Sequence, residues 1–223
     1  MNPGREIIYI DFHSHQYGGA RDTITIRNLM AGDDVPADFP QNTLFSAGIH
    51  PWQLTEENAP QLRTELLLTA AHPHVVMIGE AGFDRLKGPR MELQNDVFLF
   101  QAATARLMGK PMVIHCVRGW EELRRAHSEV NPERPWVIHG FRGNVMLAAT
   151  LAAEGFWFSL GLKGITTEIL EVISHNRILL ETDEAGGSIA DVYRIFAVTA
   201  GYDEDRAAAL VKGNFNSLFN YGL

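Results

Sequence analysis

The feature that most constrains this chain's fold is a pattern repeated along its length: a short apolar run ending on a side chain that can bind a metal. Ile7, Ile8, Tyr9 and Ile10 lead into Asp11, His13 and His15, and Val75-Val76-Met77-Ile78-Gly79 leads into Glu80. Pro111 to Ile114 delivers His115, Pro135 to Ile138 delivers His139, and Ile178 to Thr182 delivers Asp183. Runs of this length, rich in β-branched residues, read as buried strands. Side chains alternate along a strand, so Asp11, His13 and His15 share one face. One such pair of imidazoles is weak evidence by itself. Ligating groups at five strand ends along one chain are another matter, because β/α barrels build their active sites from the C-terminal ends of several strands. A mixture of nitrogen and oxygen donors suits zinc and similar cations.

The intervening segments carry helical periodicity. After the strand Leu44 to Ile49, which brings in His50, a helix is expected from Thr55, with Leu62, Leu66, Leu67 and Ala70 at helical spacing. The helix over 91–108 places Gln94, Phe98, Gln101 and Ala105 on one face. Further helices are expected over 120–129, 144–153, 167–173, 189–200 and 203–219, with a strand at 156–160. Strands alternating with helices imply parallel βαβ units. The region after His15 is irregular: Tyr17-Gly18-Gly19-Ala20 reads as a turn, Thr23 to Ile26 as a short strand, and Ala31 to Pro36 with Phe39-Pro40 as loop. Only 34 residues separate His15 from His50, so the second βα unit is shortened or missing.

Six motifs follow one another: Asp11 to His15, Gly48 to Pro51, Ile78 to Asp84, Val113 to Cys116, Ile138 to Gly143 and Leu179 to Asp183. In content and order they resemble the TatD family of metal-dependent hydrolases and deoxyribonucleases, a group of amidohydrolase-like TIM barrels. The stretch Asn214 to Phe219 is similar to that family's closing helix. The resemblance implies a TIM-type (β/α) barrel, with residues 1–223 as a single TatD-like domain. It implies two divalent ions (Zn2+, Mg2+ or Mn2+), one held by His13, His15, Glu80 and Asp183. The other would take His115 and His139 and share Glu80. Asp183 would be the general base, with Glu80 as the bridging catalytic carboxylate and His50 touching a phosphate oxygen. Two departures stand out: Glu184, not proline, follows Asp183, and Arg118 lies three residues after His115, where the family commonly places an arginine two residues on.

Composition limits the partners. The formal net charge is -8, which argues against coating nucleic acid by bulk electrostatics. Yet Arg85, Lys87, Arg90, Arg118, Arg142 and Lys163 all follow expected strand ends. They would form a local basic rim on an acidic body, with Arg142, Arg85 and Lys87 the candidate contacts to a DNA substrate. A single cysteine, Cys116, excludes an internal disulfide and suits the cytoplasm. The N-terminal apolar run is too short for a secretory signal and no segment is long enough to span a membrane. No protein partner is evident. The leading expectation is phosphodiester hydrolysis of DNA, in an exonuclease manner. Its rivals are an amidohydrolase-like enzyme acting on a small carbonyl or ester substrate, and a metal-stabilised scaffold.

Overall fold

Eight parallel strands pair strictly in chain order, and the helices that cover them begin only after the third. The computed structural model describes residues 8–17, 22–184 and 187–219. The elements are β1 (Tyr9–Ser14), β2 (Thr23–Met30), β3 (Thr43–Gly48), α1 (Ala59–Ala70), β4 (Val75–Asp84), α2 (Met91–Met108), β5 (Met112–Val117) and α3 (Trp120–Val130). They continue as β6 (Trp136–Ile138), α4 (Val145–Ala153), β7 (Trp157–Leu160), α5 (Thr167–Val172), β8 (Ile178–Leu180), α6 (Ile189–Ala200) and α7 (Glu204–Phe219). In the sheet β1 to β8 lie side by side in chain order. A bridge between Ser14 and Asp183 brings its two edges together, leaving a nearly closed barrel. Parallel strands are buried on both faces, and β1, with every residue buried, follows that rule.

The short second unit resolves into a full strand without a helix. β2 extends to Met30 and pairs with both neighbours, but among the described residues no helix follows β1 or β2. Cover comes from elsewhere. Tyr193 of α6 places its hydroxyl against β1, accepting from Ile10 N at 3.0 Å and donating to Ile10 O at 3.2 Å. Phe39, from the loop between β2 and β3, packs edge-on against Phe45 with ring centroids 5.0 Å apart. Of the expected turn at Tyr17, residues 18–20 lie outside the described residues, as do Ile7 of the first apolar run and residues 185 and 186.

Two of the boundaries that differ from expectation lie on the way to the site. The helix expected from Thr55 starts at Ala59, after Asn58. Pro60 lacks an N–H and is tolerated only in a helix's first turn, while Thr55 and Asn58 exchange hydrogen bonds in the turn ahead of it. β4 does not stop before Glu80 but runs on to Asp84, so Glu80 sits within the strand. The glycines on either side make this possible. A Cβ on Gly79 would lie 2.3 Å from Val113 O, and one on Gly82 would lie 1.8 Å from His115 O. With no side chain there, β5 approaches β4 closely enough for His115 to reach Glu80.

Candidate metal centre

The side chains delivered by the strands converge on Glu80, which is buried at 4% exposure. Its two carboxylate oxygens face different histidines. Oε1 lies 2.6 Å from His139 Nε2, 2.8 Å from His115 Nδ1 and 3.3 Å from His50 Nε2. Oε2 lies 3.5 Å from His13 Nε2 and 3.7 Å from His15 Nε2. Across from it, Asp183 Oδ1 is 3.8 Å from His13 and 3.7 Å from His15. Glu80 is placed from behind by β2, where Asn28 Oδ1 accepts from both Glu80 N and the Ser46 hydroxyl.

Charges within this ring are strongly coupled. Burial pushes the Glu80 carboxyl up, but the His139 charge and the ring nitrogens of His115, His13 and His139 that face it outweigh it, holding the group well below the usual carboxylate range. Burial likewise disfavours the His139 cation, yet Glu80 and Glu181 raise its pKa well above the usual value. His15 is held down, first by burial and then by the charge of His13. Desolvation and charge act here in the expected senses.

The donor set fits a divalent cation. His13 is fully buried and makes no hydrogen bond through either ring nitrogen. A buried polar group without a partner is costly, and a coordinate bond would satisfy it. Four overlapping groups have ligand atoms close enough to hold an ion: His13, His15 and Asp183; His13, Glu80 and His139; His50, Glu80 and His115; and His139, Glu181 and Asp183.

Residues that sequence reasoning passed over hold these ligands in place. Asp84 Oδ2 lies 3.3 Å from His115 Nε2, which turns Nδ1 towards Glu80. The same oxygen accepts from the Trp52 indole at 2.6 Å. Glu181 Oε1 accepts from Gly140 N at 2.7 Å and lies 3.7 Å from His139 Nδ1. Both carboxylates stood inside quoted motifs, next to residues with a more obvious role. Carboxylates behind ligating histidines fix the ring orientation in metal sites generally. Asp11 shares a strand with His13 but ties β1 to the end of β8, accepting from Thr182 N and its hydroxyl. Burial raises its pKa to about 6 against those hydrogen bonds.

His50, expected outside the ligand ring, stands within reach of Glu80. Its Nδ1 accepts from Trp52 N at 3.1 Å, which puts the proton on Nε2 and makes that atom a donor. Of the candidate substrate contacts, Arg85 is paired with Glu122 and Lys87 sits over the Trp52 ring, 3.9 Å from its centroid. Arg90 pairs with Glu56. Arg142 is exposed on the loop after β6.

A family model described as TatD related DNase matches residues 33–220. The chain belongs to the TatD family. It has the fold and the clustered histidine and carboxylate ligands of a TatD-like metal-dependent hydrolase. Similar proteins include the uncharacterized metal-dependent hydrolase TatD of Mycobacterium tuberculosis, 24% identical over 208 residues that cover 78% of each chain. The 3'-5' ssDNA/RNA exonuclease TatD of Musicola paradisiaca is 33% identical over 156 residues, 62% of this chain. That match spans 55% of the exonuclease's length. Among solved structures, the TatD homolog YJJV from Escherichia coli shares the fold with a TM-score of 0.75 at 20% identity, covering 97% of this chain and 100% of that one. The TatD family hydrolase from Entamoeba histolytica gives 0.74 at 16% identity, covering 95% and 98%. Among the described residues no helix is long and apolar enough to cross a membrane.

Proposed function

We propose that this chain is a two-metal phosphodiesterase acting on DNA strand ends, with residues 1–223 as one catalytic domain working in the cytoplasm. The observation that carries the reading is the division of labour at Glu80. Its Oε2 faces His13 and His15 with Asp183 opposite, and its Oε1 faces His115 and His139. A carboxylate placed between two donor sets suits a bridging ligand, for which a structural site has no need. When bound, two divalent ions would supply Lewis-acid stabilisation of the phosphoryl group and acidify a water. His13, His15, Glu80 and Asp183 are assigned to one ion and His115, His139 and Glu80 to the other.

The side chains divide the remaining tasks. Asp183 is partly open to solvent, at 27% side-chain exposure, and accepts the proton of the attacking water. His50 donates from Nε2 to a phosphate oxygen. Arg142, Lys87 and Arg85 receive the backbone at the mouth, Arg85 after exchanging Glu122 for a phosphate. The exonucleases among the relatives support this choice of substrate.

The rival reading is a small carbonyl or ester substrate, favoured by the ion pairs that already neutralise Arg85 and Arg90. Metal-reconstituted protein assayed on labelled single- and double-stranded DNA, beside small phosphodiesters, esters and amides, separates the two. Shortening of a DNA strand from one end is the expected result. Turnover of amides or carboxylic esters, with DNA and phosphodiesters left intact, contradicts it.

A further inference from the structure

Beside His115, the mouth of the barrel holds an aromatic side chain to which the reaction gives no task. Trp52 follows His50 and Pro51 after β3 and is 51% exposed, whereas Trp136 is 1% exposed. Despite this exposure its orientation is fixed. The indole N–H donates to Asp84 Oδ2 at 2.6 Å. The rings of His50 and His115 stand nearly at right angles to it, with centroids 4.8 and 5.8 Å away. Asp84 is itself immobilised, being 1% exposed and accepting from Leu86 N and Lys87 N through Oδ1. An aromatic plane so held loses little freedom when a ligand lies on it. Lys87 adds the second component, its ammonium lying 3.9 Å from the Trp52 ring centroid. This is a flexible cation on an exposed π-face, one ring away from the ligands of Glu80. Proteins that take single-stranded nucleic acid combine these two elements, aromatic faces for the bases and cations for the backbone.

We infer that Trp52 is the platform on which the base beside the scissile phosphate stacks, and that Lys87 leaves the indole face for that phosphate as the base arrives. The inference rests on the nuclease reading and refines it in two respects. A base in a duplex must first leave its stack, so single-stranded ends are preferred. Every base has a π-face, so the platform is indifferent to sequence.

The test uses metal-loaded protein and two single strands, identical except that one carries an abasic terminal nucleotide. Trp52→Leu removes the platform. Trp52→Phe keeps a π-face but loses the bond to Asp84. A stacked base is worth roughly a tenfold change in affinity by the usual energies. Trp52→Leu should therefore raise KM for the base-bearing strand about tenfold with kcat little changed, and Trp52→Phe should recover most of that loss. The abasic strand should start with the higher KM and be insensitive to Trp52→Leu. As a binding readout, the base-bearing strand should quench tryptophan fluorescence of the parent, and the quenching should vanish in Trp52→Phe. Equal losses in Leu and Phe variants on both strands would overturn the inference while leaving the nuclease reading intact, because Trp52 would then act only through Asp84 and His115. A parent that neither binds nor cleaves either strand would overturn both.

Discussion

Asp183 combines an unusual backbone with the general-base role proposed for it. Its φ of 53° lies in the left-handed region, which costs a non-glycine residue roughly 1–2 kcal/mol. The surroundings enforce it: Asp183 N donates to His13 O at 2.9 Å, joining the two barrel edges. Asparagine tolerates this conformation, so Asp183→Asn should fold and keep much of its metal affinity. Its kcat should fall roughly 10²–10⁴-fold, the range for a positioned proton acceptor. Near-normal turnover with metal bound would reduce Asp183 to a ligand. His139 makes a separate prediction. It must be neutral to ligate, yet Glu80 and Glu181 raise its pKa well above the usual 6.5. Metal affinity should therefore climb with pH through the window above 6.5, and loading should release protons. Without metal the sign reverses: the stability from the His139–Glu80 pair is present below 6.5 and lost as pH rises through the raised value. Titration calorimetry in buffers of different ionisation enthalpy measures the proton release. Affinity independent of pH across this window would remove His139 from the ligand set.

At the scale of elements, helix α2 holds two strands through buried glutamines. Gln101 Oε1 accepts from Ile49 N and its Nε2 donates to Ile49 O, while Gln94 bonds to Asp84 N and Asp84 O in the same way. The chain is thus fixed next to His50 and at Asp84 itself. Gln101→Leu would leave both Ile49 groups buried and unpaired, at about 1–3 kcal/mol each. Denaturant melts should show a loss of about 2 kcal/mol or more, and KM should rise as His50 loosens. A neutral melt would show that water replaces the glutamine. These glutamines were visible in the sequence as a polar pair on an otherwise apolar helix face, but their function was not, because periodicity reports a face and never its partner. The convergence of His13, His15, Glu80, His115, His139 and Asp183 was legible for the opposite reason, since these residues follow apolar runs whose period is local. Asp84, Glu181 and Asn28 act across strands, and a single sequence does not show which strands are neighbours. β2 illustrates the same limit: four residues of alternation pointed to a strand, and the structure extends it to eight. Among the described residues no helix lies between it and β3, yet it supplies Asn28, which accepts from Glu80 N.

For the molecule as a whole, the proposed function raises the question of how an acidic body would receive an acidic polymer. The net charge of -8 would repel DNA at long range, so under the proposed function the attraction would have to come from the mouth. If Arg142 contacts a phosphate on a single strand, Arg142→Ala should lower the salt slope of log affinity by about 0.7. Affinity unchanged across a salt titration would leave Arg142 as ordinary solvated charge. Everything else depends on the claim that Glu80 joins two metal positions. Anomalous scattering from crystals grown with manganese or zinc tests it most directly. Two peaks about 3.5–4 Å apart are expected, one on the Oε2 side of Glu80 with His13, His15 and Asp183, the other on the Oε1 side with His115 and His139. A single peak that avoids Glu80, or none within the ring at saturating metal, would contradict it.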